Sequence, residues 1–232
     1  MTISVIIPTY NEERIIADTL SSAASLDFDE LIVVDGESTD QTSTLVQSYK
    51  ARSNASNVFL LTGPRGRARQ LNAGAESSRG DILVFLHADT QLPLTAKRQI
   101  LSAFNHADIV GGRFNIRFDR PSVLGNIVSS MMNWRSRWTG IATGDQAIFV
   151  RRNAFRQLGG FADIPLMEDI DFSRRLKRLG RLAMLSDQVV TSFRRWEHRG
   201  PVKTILLMWG LRLLFWFGVS SHRLAHFYAQ VR

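Results

Sequence analysis

The sequence contains no cysteine, which excludes a disulfide framework and any thiolate metal site. Lysine is almost as scarce. Only 4 of the 29 basic residues are lysines, and none sits in the glycine-rich spacing of a P-loop, so phosphate is not held in that way. There is no internal repeat, no low-complexity tract and no obvious linker. The opening residues, MTISVIIPTYNEE, have no basic stretch leading into a long apolar one. They predict no signal peptide, and the expected compartment is the cytoplasm.

The 232 residues, 44% of them hydrophobic, suffice for one globular domain with an appendage. Charge is unevenly spread. Residues 1–112 carry 9 Lys/Arg against 13 Asp/Glu, whereas residues 113–232 carry 20 against 8. An arginine-rich half suits nucleic acid, an anionic membrane or a phosphorylated substrate, and equally a solvated basic surface. No recognised nucleic-acid module accompanies it, so nucleic acid is not an expected partner.

Along the first half, continuous apolar runs alternate with helical patterns. ISVIIP (3–8), ELIVVD (30–35), NVFLLT (57–62) and DILVFL (81–86) read as buried strands, with helices predicted over 12–25, 39–51 and 65–78. This alternation predicts a mostly parallel α/β sheet covered on both faces, whose ligands sit beyond the carboxyl ends of the strands. Pro8, Asp35, Thr62 and Asp89 fall at or just past such ends. The second half is less regular, with helices predicted over 95–107, 122–138 and 167–180 and strands over 108–118 and 146–152. The segment 202–220, VKTILLMWGLRLLFWFGVS, is almost wholly apolar. Its length is marginal for a bilayer span, and Arg212 near its centre would cost roughly 2.5–3.5 kcal/mol there. An interfacial helix, a helix packed on the domain and a true span all fit; Trp209, Trp216 and the flanking basic residues favour the interface.

Several short stretches offer chemistry. PTYNEE (8–13) presents Thr9, Asn11 and Glu12 at the end of the first strand, and VVDGESTDQT (33–42) sends Asp35 into a glycine turn. Strand–turn–helix capping explains the second stretch by itself; beside the first, its carboxylate also suits a nucleoside. GPRGRARQLNAGA (63–75) reads as an anion site, with Arg65 and Arg69 as the expected contacts, or as a basic surface helix. ILVFLHADTQL (82–92) ends a buried strand at His87 and Asp89. Asp89 with phosphate oxygens and water suits Mg²⁺ or Mn²⁺ and His87 is a second candidate ligand; a helix-capping aspartate is the alternative. In LMEDIDFSRR (166–175), Glu168, Asp169 and Asp171 gather at a helix start, as caps or with one carboxylate taking a proton from an acceptor hydroxyl. SFRRWEHRG (192–200) brings Arg195, Trp196 and His198 together, as a leaving-group site or a solvated loop.

In their order, P-T-Y-N-E, V-V-D-G-x-S-x-D-x-T, H-A-D at a strand end, G-D-Q, M-E-D and R-R-W resemble glycosyltransferase family 2 with its GT-A fold, over residues 3 to about 200. The details GPRGRARQLNAGA, FLHADT and RRWEHRG are similar to a bacterial subgroup of arsenosugar-biosynthesis-type glycosyltransferases. The resemblance implies an inverting transfer of sugar from a nucleotide-diphosphate sugar, assisted by Mg²⁺ or Mn²⁺. It assigns Pro8, Tyr10, Glu12 and Asp35 to the nucleoside, with Thr9, Arg65 and Arg69 expected beside them. It assigns Asp89 to the second acid of the metal-binding D-x-D element, Asp169 to the general base, and Arg195 and Trp196 to the R-W of Q-x-x-R-W. Asp145 and Glu168 are expected on the acceptor side, and His198 or His87 as further metal ligands.

Two departures from the family pattern stand out. His87 takes the place of the first D-x-D acid, and Ser192 that of the glutamine in Q-x-x-R-W. The second favours a single sugar addition over processive synthesis. The expected organisation is a GT-A domain over 1–200, with a nucleotide-binding half (1–112) and an acceptor half (113–200). The apolar helical segment 201–232 follows, in peripheral contact with the inner face of the cell membrane. That contact suggests a lipid-linked acceptor. The alternatives are a nucleotidyltransferase, which PTYNEE in place of a glycine-rich lysine loop argues against, and a non-catalytic nucleotide-binding or membrane-scaffold relative.

Overall fold

A computed structural model describes residues 1–53, 55–120, 122–193 and 201–230. The first half winds as β1 (Ile3–Thr9), α1 (Ile16–Ala24), β2 (Glu30–Asp35), α2 (Thr42–Ser53), β3 (Val58–Thr62), α3 (Arg67–Ser77) and β4 (Ile82–Phe85). Then come β5 (Thr90–Gln91), α4 (Ala96–Ala103), β6 (Ile109–Phe118), α5 (Val123–Thr139) and a single 3₁₀ turn (Gly144–Gln146). The chain continues through β7 (Ile148–Arg151), α6 (Arg152–Gln157), α7 (Glu168–Leu176) and β8 (Arg181–Thr191), and closes with α8 (Pro201–Trp216) and α9 (Ser221–Gln230).

One sheet carries both halves, in the order β3-β2-β1-β4-β7-β6-β8-β5. The expected parallel set is present: β3, β2, β1 and β4 pair parallel, with Thr9 opposite Asp35 and Ile6 opposite Phe85. Past β4 the sheet becomes mixed, because β7 joins antiparallel to both β4 and β6. β7 belongs to the second half in sequence, yet it lies between β4 and β6. The two halves are therefore one hydrogen-bonded layer.

Alternate residues of the central strands feed two cores. Val5, Ile7, Leu31, Val33 and Val84 face one, and Ile6, Ile32, Val34, Leu83 and Phe85 face the other. Each such side chain, fully buried, stabilises the fold by about 1.5–3 kcal/mol. Burial on both faces makes these strands continuous apolar runs rather than alternating ones. In β6, Gly111 and Gly112 pair with Leu182 and Ala183 of β8, between two register shifts at Ile109/Gly111 and Arg113/Asn115. A Cβ on Gly112 would lie 2.3 Å from the Ala183 carbonyl oxygen and 2.5 Å from the Phe149 ring. Gly112→Ala should therefore cost on the order of 3 kcal/mol. Thermal unfolding should report this as a melting point lower by about 6–12 °C.

The apolar segment predicted over 202–220 is one helix and a turn that leads into a second helix. The first helix ends at Trp216, and Gly218, at φ +86°, turns the chain into α9. Leu211 and Leu224 pack on Met167 and Ile170. The other face leaves Leu206, Trp209, Leu213, Trp216 and Phe217 exposed. Among the described residues no helix is long and apolar enough to cross a membrane.

Candidate active site

The carboxyl ends of β2, β1 and β4 lie side by side, so the loops after them form one rim. Neighbouring strands are about 5 Å apart, which puts the ends of β2 and β4 about 10 Å from each other. The Asp35 side chain is buried, and its two oxygens accept hydrogen bonds from the Ser38 N–H (3.0 Å), the Ser38 hydroxyl (2.5 Å) and the Thr9 hydroxyl (3.3 Å). The Asn11 N–H donates to the Ser38 hydroxyl, and the Asn11 amide oxygen accepts from the Thr39 N–H at 2.8 Å. The Gln70 amide of α3 reaches underneath and donates to the Thr9 and Val34 carbonyls at 2.7 and 2.8 Å. Arg65 stacks its guanidinium 4.1 Å from the centre of the Tyr10 ring. These bonds hold a polar, cation-bearing ledge over the ends of β1 and β2.

A second cluster begins where β4 surfaces. His87 is buried, and its Nδ1 lies 3.0 Å from Asp145 Oδ1 while Arg67 contacts the ring nitrogens. A neutral imidazole with its proton on Nδ1 satisfies both partners, donating to Asp145 and accepting from Arg67 at Nε2. Gly144 is required beside it, because a Cβ there would fall 2.2 Å from His87 Nε2. The Gly144 N–H donates to Asp169 Oδ2 at 2.7 Å, and Asp169 Oδ1 accepts the Ile170 N–H at 2.7 Å. Met167, just ahead of this acid pair, has φ +69°; Asn11, Glu37 and Ala147 also take positive φ in loops around the rim. Such backbone strain concentrates where a fold must aim particular groups.

Glu168 is 4% exposed and lies 3.6 Å from the Arg67 guanidinium. Burial pushes its carboxyl above the ordinary value of 4.5, the Asp169 charge pushes it further, and Arg67 opposes both. The raised folded value makes the native state hold a proton that the unfolded chain releases. Stability therefore falls as pH rises from about 4.5 through that raised value. Glu168→Gln should gain melting temperature relative to the parent across that window, and parallel melting curves at several pH values check the sign.

The expected site residues divide into groups. Pro8, Thr9, Tyr10, Glu12, Asp35 and Arg65 lie on the first ledge, with the Glu12 N–H bonded to the Thr42 hydroxyl at 2.8 Å. His87, Asp145, Glu168 and Asp169 are linked in the second cluster, and Asp89 lines the same cavity as Asp145. Arg69 is elsewhere: it forms an exposed pair with Asp163 at 2.9 Å. Arg67, two positions earlier, is the arginine that meets His87 and Glu168, because residues two apart on a helix do not share a face. His87 is engaged by the Arg67 guanidinium. Arg195, Trp196 and His198 lie outside the described residues. Sequence reasoning also missed Gln70, Arg135 and Arg212. For Arg212 the signal was present, as a single charge within an apolar helix.

Residues 4–159 match the model of glycosyl transferase family 2. The chain belongs to that family. Among family relatives, the probable glycosyltransferase YdaM of Bacillus subtilis is 29% identical over 197 residues, covering 77% of this chain and 47% of YdaM. The poly-beta-1,6-N-acetyl-D-glucosamine synthase of Staphylococcus aureus is 33% identical over 131 residues, 54% of this chain and 31% of the synthase. The chain thus spans less than half the length of these family 2 relatives. In three dimensions it superposes on the crystal structure of S. aureus TarS 1–349 with a TM-score of 0.66 at 21% identity, covering 83% of this chain and 60% of that one. A mannosyltransferase from Pyrobaculum calidifontis, in complex with GDP-Man and Mn²⁺, gives a TM-score of 0.65 at 22% identity, over 82% of this chain and 56% of that one. These likenesses establish the GT-A fold, and the family match places residues 4–159 in glycosyl transferase family 2.

Proposed function

We propose that this glycosyltransferase moves one sugar from a nucleotide-diphosphate sugar to an acceptor hydroxyl with inversion at the anomeric carbon. The observation that carries the reading is the convergence of two polar groups at the sheet's carboxyl edge: Asp35 with its Thr9–Ser38 partners, and the His87–Asp145 and Gly144–Asp169 contacts. Solved relatives in complex with UDP-GlcNAc and with GDP-Man support a nucleotide sugar as donor.

On this reading Asp35 and the Tyr10–Arg65 ledge bind the nucleoside end. Asp169 takes the proton of the acceptor hydroxyl as its oxygen bonds to the anomeric carbon. The bond to the nucleoside diphosphate breaks on the opposite face, and its electron pair leaves with the diphosphate. The Gly144 and Ile170 N–H groups fix the Asp169 carboxylate while each of its oxygens keeps a lone pair for that proton. Arg67 beside His87 adds positive charge at the end of β4, where the leaving diphosphate accumulates negative charge.

The fit to a divalent cation is partial. Among the described residues no three His, Asp or Glu side chains gather into a complete ligand set. Asp89 offers one hard carboxylate to Mg²⁺ or Mn²⁺, and diphosphate oxygens and water would supply the rest. When bound, the cation would neutralise charge on the diphosphate.

The test is a thermal-shift screen of nucleotide sugars on the parent and on Asp89→Ala, with and without Mn²⁺. One donor should stabilise the parent, and Mn²⁺ should enlarge the shift in the parent alone. Equal shifts in both proteins would remove Asp89 from the metal role, and no shift from any donor would remove the donor class.

A further inference from the structure

Beyond the donor rim, α5 and α8 enclose a cavity of about 1070 Å³ that opens beside Asp89 and Asp145. Its volume lies at the top of the roughly 300–1,000 Å³ range of ordinary ligand sites. Its long walls are apolar. Val128, Met131 and Met132 of α5 face Leu206, Trp209 and Leu213 of α8 across it. Exposed Trp134 of α5 and Trp216 of α8 also line it, and Trp134 stacks on exposed Trp138 with ring centres 5.7 Å apart. Such a walled slot leading onto an apolar surface is shaped for a hydrocarbon chain.

The end nearest the acids is different. Arg135 and Arg212, which feel the Asp169 charge, line the cavity there, and Arg174 and Lys177 line it as well. Among the described residues, Arg135 Nε and Nη2 are shielded from solvent and find no hydrogen-bond partner. Burial lowers the Arg135 guanidinium to about 10; the like charges of Arg212 and Arg113 add to this and Asp169 opposes it. Arg212 is lowered too, chiefly by burial, with Asp169 and Asp145 opposing. Both arginines remain charged at neutral pH. The four lining cations, Arg135, Arg174, Lys177 and Arg212, meet three carboxylates, Asp89 and Asp145 in the lining and Asp169 beside them, which leaves positive charge uncompensated and favours an anion there.

We infer that the cavity is the acceptor site and takes a phosphorylated lipid, its chain between α5 and α8 and its phosphate between Arg135 and Arg212. This rests on the transferase reading above and gives it an acceptor class. The phosphate anchors the head, and a hydroxyl that the head carries beyond the phosphate meets Asp169, loses its proton to it and bonds to the anomeric carbon in the step already given. Arg212 thus gains a purpose that the apolar segment alone did not explain: α8 carries a cation to the reaction centre while its outer face rests at a lipid surface.

Calorimetric titration of the full chain with geranylgeranyl monophosphate, geranylgeraniol and inorganic phosphate tests the inference. The monophosphate should bind at least tenfold more tightly than either of the other two. Arg135→Gln and Arg212→Gln should each weaken the monophosphate about tenfold and leave the alcohol unchanged, as expected for loss of a charge-assisted hydrogen bond. Leu213→Ser should weaken both lipids alike, and melting curves identify any variant that fails to fold.

Equal affinity for monophosphate and alcohol, or displacement of the lipid by inorganic phosphate at equal concentration, overturns the proposal. So does a dimer in ultracentrifugation that Leu213→Ser dissociates without any lipid binding, since a second copy would then cover the slot. Nucleotide-sugar binding is measured on the same samples. Donor binding without lipid binding overturns this inference alone, whereas lipid binding without donor binding overturns the transferase reading.

Discussion

Replacing Asp169 by Asn should lower kcat by about 10³-fold while the dissociation constant for the nucleotide sugar stays within a factor of two or so. Asp169 stands in the first turn of α7, where two backbone N–H groups at 2.7 Å fix its carboxylate. It also lies near Arg135 and Arg212, the cations at the head of the α5–α8 cavity. A carboxylate held in this way takes a proton without first reorganising, and the amide has no basic oxygen with which to do so. Asn must also turn an NH₂ toward one of the two donors, so part of the loss will come from displaced geometry. Asp169→Glu separates the two causes. It keeps the base but moves it by one methylene, and should recover a measurable part of the rate. A fall of less than tenfold in Asp169→Asn would remove Asp169 from the proton-transfer step.

The second large effect falls on binding. Asp35→Ala should weaken the nucleotide sugar by about 10- to 150-fold, equivalent to the roughly 1.5–3 kcal/mol of a hydrogen bond to a charged group. The side chain is 3% exposed, and its oxygens already order Ser38 and Thr9. A ribose hydroxyl would join a carboxylate that is fixed beforehand, so little ordering entropy would be lost on binding. Ser38→Ala serves as the control. It removes the 2.5 Å hydroxyl bond to Asp35 but keeps the carboxylate, and should weaken the donor several-fold less than Asp35→Ala does. If the two variants weaken it equally, Asp35 acts only by shaping the loop.

The parts of the fold that sequence reasoning found are those where one physical cause dominates. β1, β2 and β4 are buried on both faces, so their runs are almost wholly apolar, and the edge strand β3 is apolar up to Thr62 although Phe59 is exposed; Pro8, Asp35, Thr62 and Asp89 lie at or just past the strand ends. β8 escaped because its burial alternates irregularly and Ser186, Asp187 and Gln188 interrupt its centre; the Asn115 amide bonds the Ser186 carbonyl where the register against β6 slips. The positions of Asp35 and Asp89 were legible for the same reason as the strands, since each follows a strand with a clear end, whereas Glu168 and Asp169 open α7. The arginines were not legible. Helix phase decides that Arg67 rather than Arg69 meets His87, and a turn of one residue reverses the choice. Arg135 and Arg212 sit on segments far apart in sequence, the first read as a helix with arginine at its end and the second as almost wholly apolar, and only the packing of α5 near α8 brings their charges to one place.

Release of nucleoside diphosphate from a panel of nucleotide sugars, followed for the parent and for Asp169→Asn in the presence of Mn²⁺, tests the central claim most directly. The account predicts that one donor is consumed by the parent and that release is about 10³-fold slower in the variant, with the same donor still bound by both. Equal release by the two proteins, or a parent that binds every nucleotide sugar no better than Asp35→Ala does, would contradict it.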